Sequence, residues 1–335
     1  MDRNNFNGVD VMKMLMAVIV VCIHITSEFN YSKEFPYLYF FELAVPSFFV
    51  ASGFFLQNNF FKKDVLSVCR KQFVRVFKMY AFWALIFVLG YFFIDVVTGF
   101  FSVADIKSVM LKVLFSGNNL PYAVQLWYVY SLMLSILVIW GWKKMNLRIL
   151  WLWVLSIILY CLRTNIEGVF AIEAPVFLKK IVALYIYLYH DHKSFLFEGL
   201  ACVTSGMLIR EYLYDSISSN KRFISGVGII IVSMFASVYI PVKLYPLLSA
   251  VGFFMVFVSM KLEDNPLYPK LRRLSTLVYL LHLWTLYAVK KYVCPYLSFD
   301  PVLVYPLVII SSLFVAWLYM KIISTERFRW LRQFS

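Results

Sequence analysis

Lys13 and His24 stand eleven residues apart in an otherwise apolar stretch, NGVDVMKMLMAVIVVCIHITSEF at residues 7–29. On an α-helix that spacing is about three turns plus roughly 20°, so the ammonium and the imidazole share a face, about 16 Å apart along the axis. Asp10 and Glu28 fall near the same stripe. A neutral imidazole can take a proton from a hydroxyl or thiol, and a neighbouring carboxylate can hold its tautomer and stabilise its charged form. Glu42, in YFFELAVPSFF, is expected at a similar depth on the next apolar segment; Glu28 is the rival partner. Either pairing could also be a structural hydrogen bond between helices, but polar groups inside a membrane default toward function because their cost must be offset.

A second polar stripe occurs in LSTLVYLLHLW, where Ser275, Tyr279 and His282 are spaced four and three apart and so line one helix face. The stripe could contact a bound thioester or an acceptor, or weld the bundle together. His190 and His192 flank Asp191 in YLYHDHK without a third ligand, so they read as polar residues at the outer boundary and no metal is expected. In CRKQFVRVFKMYAFW, Arg70, Lys71, Arg75 and Lys78 could hold a phosphate-bearing cofactor, Arg bidentately. The same cluster is what a cytoplasmic excess of cations requires. Trp127 and Tyr128 in LWYVYSLMLS read as an interfacial aromatic belt that could also shape the mouth of an acceptor site. Ser52 and Gly53 in VPSFFVASGFFL are small enough to let helices approach closely.

These groups need a scaffold, and the composition says which. The 335 residues are 62% hydrophobic and 15% charged, with a mean hydropathy of +0.77, whereas a soluble domain is about a quarter charged. The expected fold is all-α, a polytopic transmembrane bundle of about ten spans near 11–28, 37–56, 74–94, 123–142, 147–162, 194–210, 223–241, 245–260, 274–292 and 302–323. The segment 176–190, with two lysines, is expected to be interfacial or partly inserted; counting it as a crossing would reverse everything after it. With ten spans and both termini cytoplasmic, most of the 32 basic residues fall on one side, as the positive-inside rule asks. The net charge of +14 is then accounted for by topology and anionic lipid, and no nucleic-acid partner is implied. Five scattered cysteines suggest packing rather than metal or disulfide chemistry. The chain reads as one membrane-embedded domain, 1–335, with no linker, and without the inverted repeat common in secondary transporters.

In length, span count and motif order the chain resembles acyltransferase family 3, integral membrane enzymes that include O-acetyltransferases of bacterial surface polysaccharides. The family's first helix carries a basic residue, ten residues, then histidine, matched by Lys13 and His24 after NGVD. VPSFFVASGFFL at 45–56 matches its next helix, Arg75 the end of an R-x-x-R element whose start is Gln72 here, 126–129 an LWYL-like segment, and 275–282 an SYxIYLxH-like one. The resemblance implies an O-acyltransferase of the bacterial cytoplasmic membrane that uses acetyl-CoA, or another acyl-CoA, as cytoplasmic donor and a saccharide hydroxyl, free or lipid-linked, as acceptor. It implies His24 as catalytic base and Lys13 and Arg75 as donor contacts; the residues themselves add Glu42 and His282 as further catalytic candidates. Lys13, Arg70, Lys71, Arg75, Ser275 and Tyr279 are the candidates for contacting the donor. Two other classes fit the composition: a transporter or flippase of a lipid-linked saccharide, and a membrane ligand-sensing module. Oligomeric state leaves no mark on the sequence.

Overall fold

The computed structural model describes residues 6–29, 41–98, 123–164, 176–177, 179–180, 183, 198–239, 244–296 and 301–334. Among them every regular element is helical. In chain order these are α1 (Asn7–Glu28), α2 (Ala44–Phe60), α3 (Val65–Thr98), α4 (Leu126–Lys144), α5 (Ile149–Thr164), α6 (Leu200–Leu208), α7 (Ser219–Tyr239), α8 (Tyr245–Ser259), α9 (Leu267–Tyr292) and α10 (Pro301–Ser324). A π-helical turn, Ile209–Leu213, continues α6, and 3-10 segments Cys294–Tyr296 and Glu326–Phe334 follow α9 and α10. Among the described residues, each expected apolar segment overlaps one of these helices. His190, Asp191, His192 and most of 176–190 lie outside the described residues.

Five of the helices are long and apolar enough to cross a membrane: Asn7–Glu28, Val65–Gly90, Leu126–Lys144, Ser219–Tyr239 and Leu303–Ser324. Their outward faces carry the same message. On α7, Ile224, Val232, Phe235 and Val238 are exposed, and on α10 so are Ile310 and Phe314. Apolar faces this continuous are untenable in water but ordinary against lipid, which is as apolar as the side chains. The chain is a multi-pass membrane protein.

Local signals set the helix ends. Asp64 Oδ2 accepts the backbone N–H of Ser67 at 2.8 Å, and the Ser67 hydroxyl donates back to the Asp64 carbonyl at 2.9 Å, an N-terminal cap that starts α3 well before its apolar part. Arg70, Lys71, Arg75 and Lys78, expected to lead into the span, therefore lie on helical turns, and Lys71, Arg75 and Lys78 share an exposed face. Between α4 and α5 the chain reverses at Asn146, whose φ of 57° is left-handed, a conformation Asn tolerates at a helix C-terminus.

The chain divides into two compact units. The first comprises Met1–Phe48, Ile217–Met234 and Leu248–Ser335; in it α1, α9 and α10 pack against one another. The second comprises Phe49–Ser216 and Phe235–Leu247, where α3 packs along α4, and α6 against α5 and α4. Polar pairs join α5 to α6 inside it: Trp153 Nε1 donates to Ser205 Oγ at 2.9 Å, and Ser156 and Thr204 share a hydrogen bond of 3.0 Å. Gly53 on α2 and Gly206 on α6 bring these helices into backbone contact. A Cβ on Gly53 would strike the Val203 carbonyl, and one on Gly206 the Val50 carbonyl; rigid backbone on both sides leaves no room to yield. Gly206→Val is expected to cost about 1–3 kcal/mol or more through overpacking, read as a lowered unfolding temperature in detergent, with Cys202→Ser as the control.

Candidate active site

Three contacts in sequence order join α1 to α9. Near their starts Asp10, 1% exposed, accepts Arg272 Nε and Nη2, each at 2.7 Å. Further along, the His24 and His282 rings lie with centroids 5.0 Å apart. At their ends Lys290 donates to a Glu28 carboxylate oxygen at 2.7 Å. The two helices therefore run parallel, and their polar stripes meet.

The NGVD that opens α1 has a role residue by residue. Asn7 Nδ2 reaches the Leu262 and Glu263 carbonyls at 3.2 Å and Asp264 Oδ1 at 3.1 Å, tying down the turn between α8 and α9. Gly8 packs against the Phe257 carbonyl where a Cβ would collide. Asp10 then finds its guanidinium, in the bidentate geometry that favours Arg over Lys. That hydrogen bonding, ahead of the opposing loss of hydration, raises the Arg272 pKa above its already high ordinary value. The sequence places Arg272 only among the cytoplasmic cations and does not reveal this pair. Its one signal is an acid in the first turn of an apolar helix, which must meet a cation from some other segment.

His282 is fully buried. Its Nδ1 lies 2.7 Å from the Tyr279 carbonyl and 3.2 Å from that of Val278. A carbonyl oxygen only accepts, so Nδ1 carries the proton and, in the neutral ring, Nε2 carries the lone pair. That Nε2 is buried with no hydrogen-bond partner among the described residues. His24 is half-buried, while the neighbouring imidazole is enclosed. Tyr279 is buried, its ring 5.7 Å from that of Phe48 and 6.1 Å from that of His282. Ser275, also buried, donates to the Arg272 carbonyl at 2.9 Å within its own helix. Lys13 is half-buried on α1, and Glu42 is exposed on a helical residue just before α2. Glu28, the rival partner for His24, has its carboxylate engaged by Lys290.

The second unit gathers the other motifs. Ser52 on α2 shares a hydrogen bond of 3.1 Å with the Tyr128 hydroxyl of α4. The Phe49 ring lies 4.6 Å from that of Tyr128 and 5.8 Å from that of Trp127. The tryptophan and tyrosine expected as an interfacial belt are neighbours of Phe49 on the second helix. Arg70, Lys71 and Arg75 are exposed, as groups awaiting a soluble anion would be.

A family model described as an acyltransferase domain matches residues 6–321. The chain belongs to acyltransferase family 3. The match takes in both compact units and all five motif segments of this membrane acyltransferase. No curated protein and no solved structure matches it.

Proposed function

We propose that this acyltransferase carries an acyl group, acetyl above all, from cytoplasmic acyl-CoA to a hydroxyl of a cell-surface or lipid-linked saccharide at the bacterial cytoplasmic membrane. The observation that carries the reading is the reachable His24 imidazole set beside an enclosed one, on the helix that also bears Lys13, in a chain of this family. His24 takes the proton of the acceptor hydroxyl, and the alkoxide attacks the thioester carbonyl. The tetrahedral oxyanion collapses, the C–S bond breaks, and the imidazolium returns its proton to the departing CoA thiolate. Proton and acyl group are both accounted for without a metal.

The donor's phosphates belong with Arg70, Lys71 and Arg75, where guanidinium groups bind phosphate bidentately; Lys13, Ser275 and Tyr279 are the further candidates for a donor contact. Ten spans with both termini cytoplasmic remains the topology of choice. The parallel run of α1 and α9 supports it, since an additional crossing at 176–190 would have made them antiparallel. The family match across both units supports a single working domain.

Calorimetry of acetyl-CoA, beside CoA alone, on the purified protein in detergent tests the donor. Saturable binding is expected, weakened roughly tenfold by Arg75→Ala, in line with a charge-assisted contact of about 1.5 kcal/mol. Folded protein that binds neither nucleotide would turn the reading toward transport or sensing of the saccharide.

A further inference from the structure

We infer that His282 is a positioning residue for His24: its Nε2 lone pair accepts the N–H of the His24 ring, so that the other His24 nitrogen carries the lone pair that acts as the base. The inference rests on the acyltransferase reading above for the chemistry it serves, and on geometry alone for the contact.

Four observations converge on it. The Tyr279 carbonyl at 2.7 Å holds the proton on His282 Nδ1, which leaves Nε2 an acceptor. That acceptor is buried and without a partner among the described residues, a state that costs a buried polar atom about 1–3 kcal/mol. His282 is fully enclosed, so its lone pair serves a neighbour rather than a diffusing substrate. The neighbour is His24, with ring centroids 5.0 Å apart and planes tilted by 37°. Two imidazoles joined by an N–H···N bond of about 2.9 Å set their centroids near this spacing, so a modest rotation of the half-buried His24 ring closes the contact.

The chemistry favours such a device here. A base works only if its reactive nitrogen carries no proton, and an imidazole has two tautomers; a fixed acceptor on one nitrogen selects between them. A carboxylate would do this more strongly, but a fully enclosed carboxylate in an apolar span carries the desolvation penalty of an ion. A neutral imidazole does not. The backbone carbonyl of residue 279, one helical turn before His282, orients the ring that orients His24.

The two nitrogens of His282 can be tested apart. In His282→Asn the side-chain amide nitrogen falls near Nδ1 and keeps the bond to Tyr279, while nothing replaces Nε2. In His282→Gln the amide oxygen can take the place of Nε2 as acceptor. The full-length protein in nanodiscs would be assayed for acetyl-CoA consumption with methyl glucoside as probe acceptor. Histidine-15N spectra of the donor-free protein, which has only four histidines, would be recorded in parallel. Expected are a fall of about 10- to 100-fold in kcat for H282N, unchanged acetyl-CoA affinity, and recovery to within a few-fold of wild type in H282Q. His24 should show one tautomer in wild type and H282Q, and a mixture in H282N. The inference is overturned if H282N matches wild type, if H282Q is the weaker variant, if the His24 tautomer ignores both changes, or if both variants fail to fold. Wild-type protein that consumes no acetyl-CoA would sink the donor reading, and the tautomer spectra would still judge the contact.

Discussion

His24→Ala is expected to lower acyl transfer by about 100- to 10,000-fold, the range contributed by a general base, while acetyl-CoA binding and the unfolding temperature stay at wild-type values. The separation follows from position. His24 is half-buried and is proposed to act on the acceptor's proton, whereas the donor's phosphates are proposed to meet the exposed cations of α3. Single-turnover transfer of radiolabelled acetyl from acetyl-CoA, alongside calorimetry on the same preparation, measures both. Transfer at the wild-type rate would show that another group removes the proton. Lys13→Ala should behave in the opposite way, with a raised KM and a kcat less affected.

Arg272→Ala is expected to produce the largest loss of stability. Asp10 is 1% exposed and takes two hydrogen bonds from this one guanidinium; without it a carboxylate is left buried beside apolar residues. Breaking a fully buried pair costs about 3–5 kcal/mol. Here water reaches the arginine, whose side chain is 56% exposed, so about 2–3 kcal/mol is the better expectation. The decisive comparison is the double variant Asp10→Asn, Arg272→Gln, which removes both charges and should recover most of the loss. If Arg272→Ala unfolds at the wild-type temperature, the pair does not hold α1 to α9. Glu28 and Lys290 make a similar contact at the far end, but both side chains are largely exposed, and Lys290→Ala should leave stability nearly unchanged.

Much of this architecture is legible in the residues themselves. The apolar runs mark the helices because lipid selects for length and composition more than for detailed packing. Lys13 and His24 can be placed on one face because helical periodicity is local. The start of α3 is less legible: hydropathy sets the boundary at 74, after the Asp64–Ser67 cap that the structure shows, and leaves Arg70 and Lys71 outside the span. The partners of the polar groups are not legible. Glu28 looks as eligible as Glu42 for His24, and nothing in the spacing says that Lys290 engages it.

Composition and intervals of a few residues therefore suffice to establish a helical membrane protein and the residues with polar chemistry to offer; the family came from the resemblance of its motifs and the family match. They do not reach the pairings between helices. That α1 and α9 run side by side, that Asp10 meets Arg272 across 262 positions, and that the ring next to His24 is an imidazole with one nitrogen already committed to Tyr279 were settled by the tertiary structure alone. Such pairings arise between segments far apart in the chain, where packing and the cost of an unpartnered buried group choose among several chemically equal candidates.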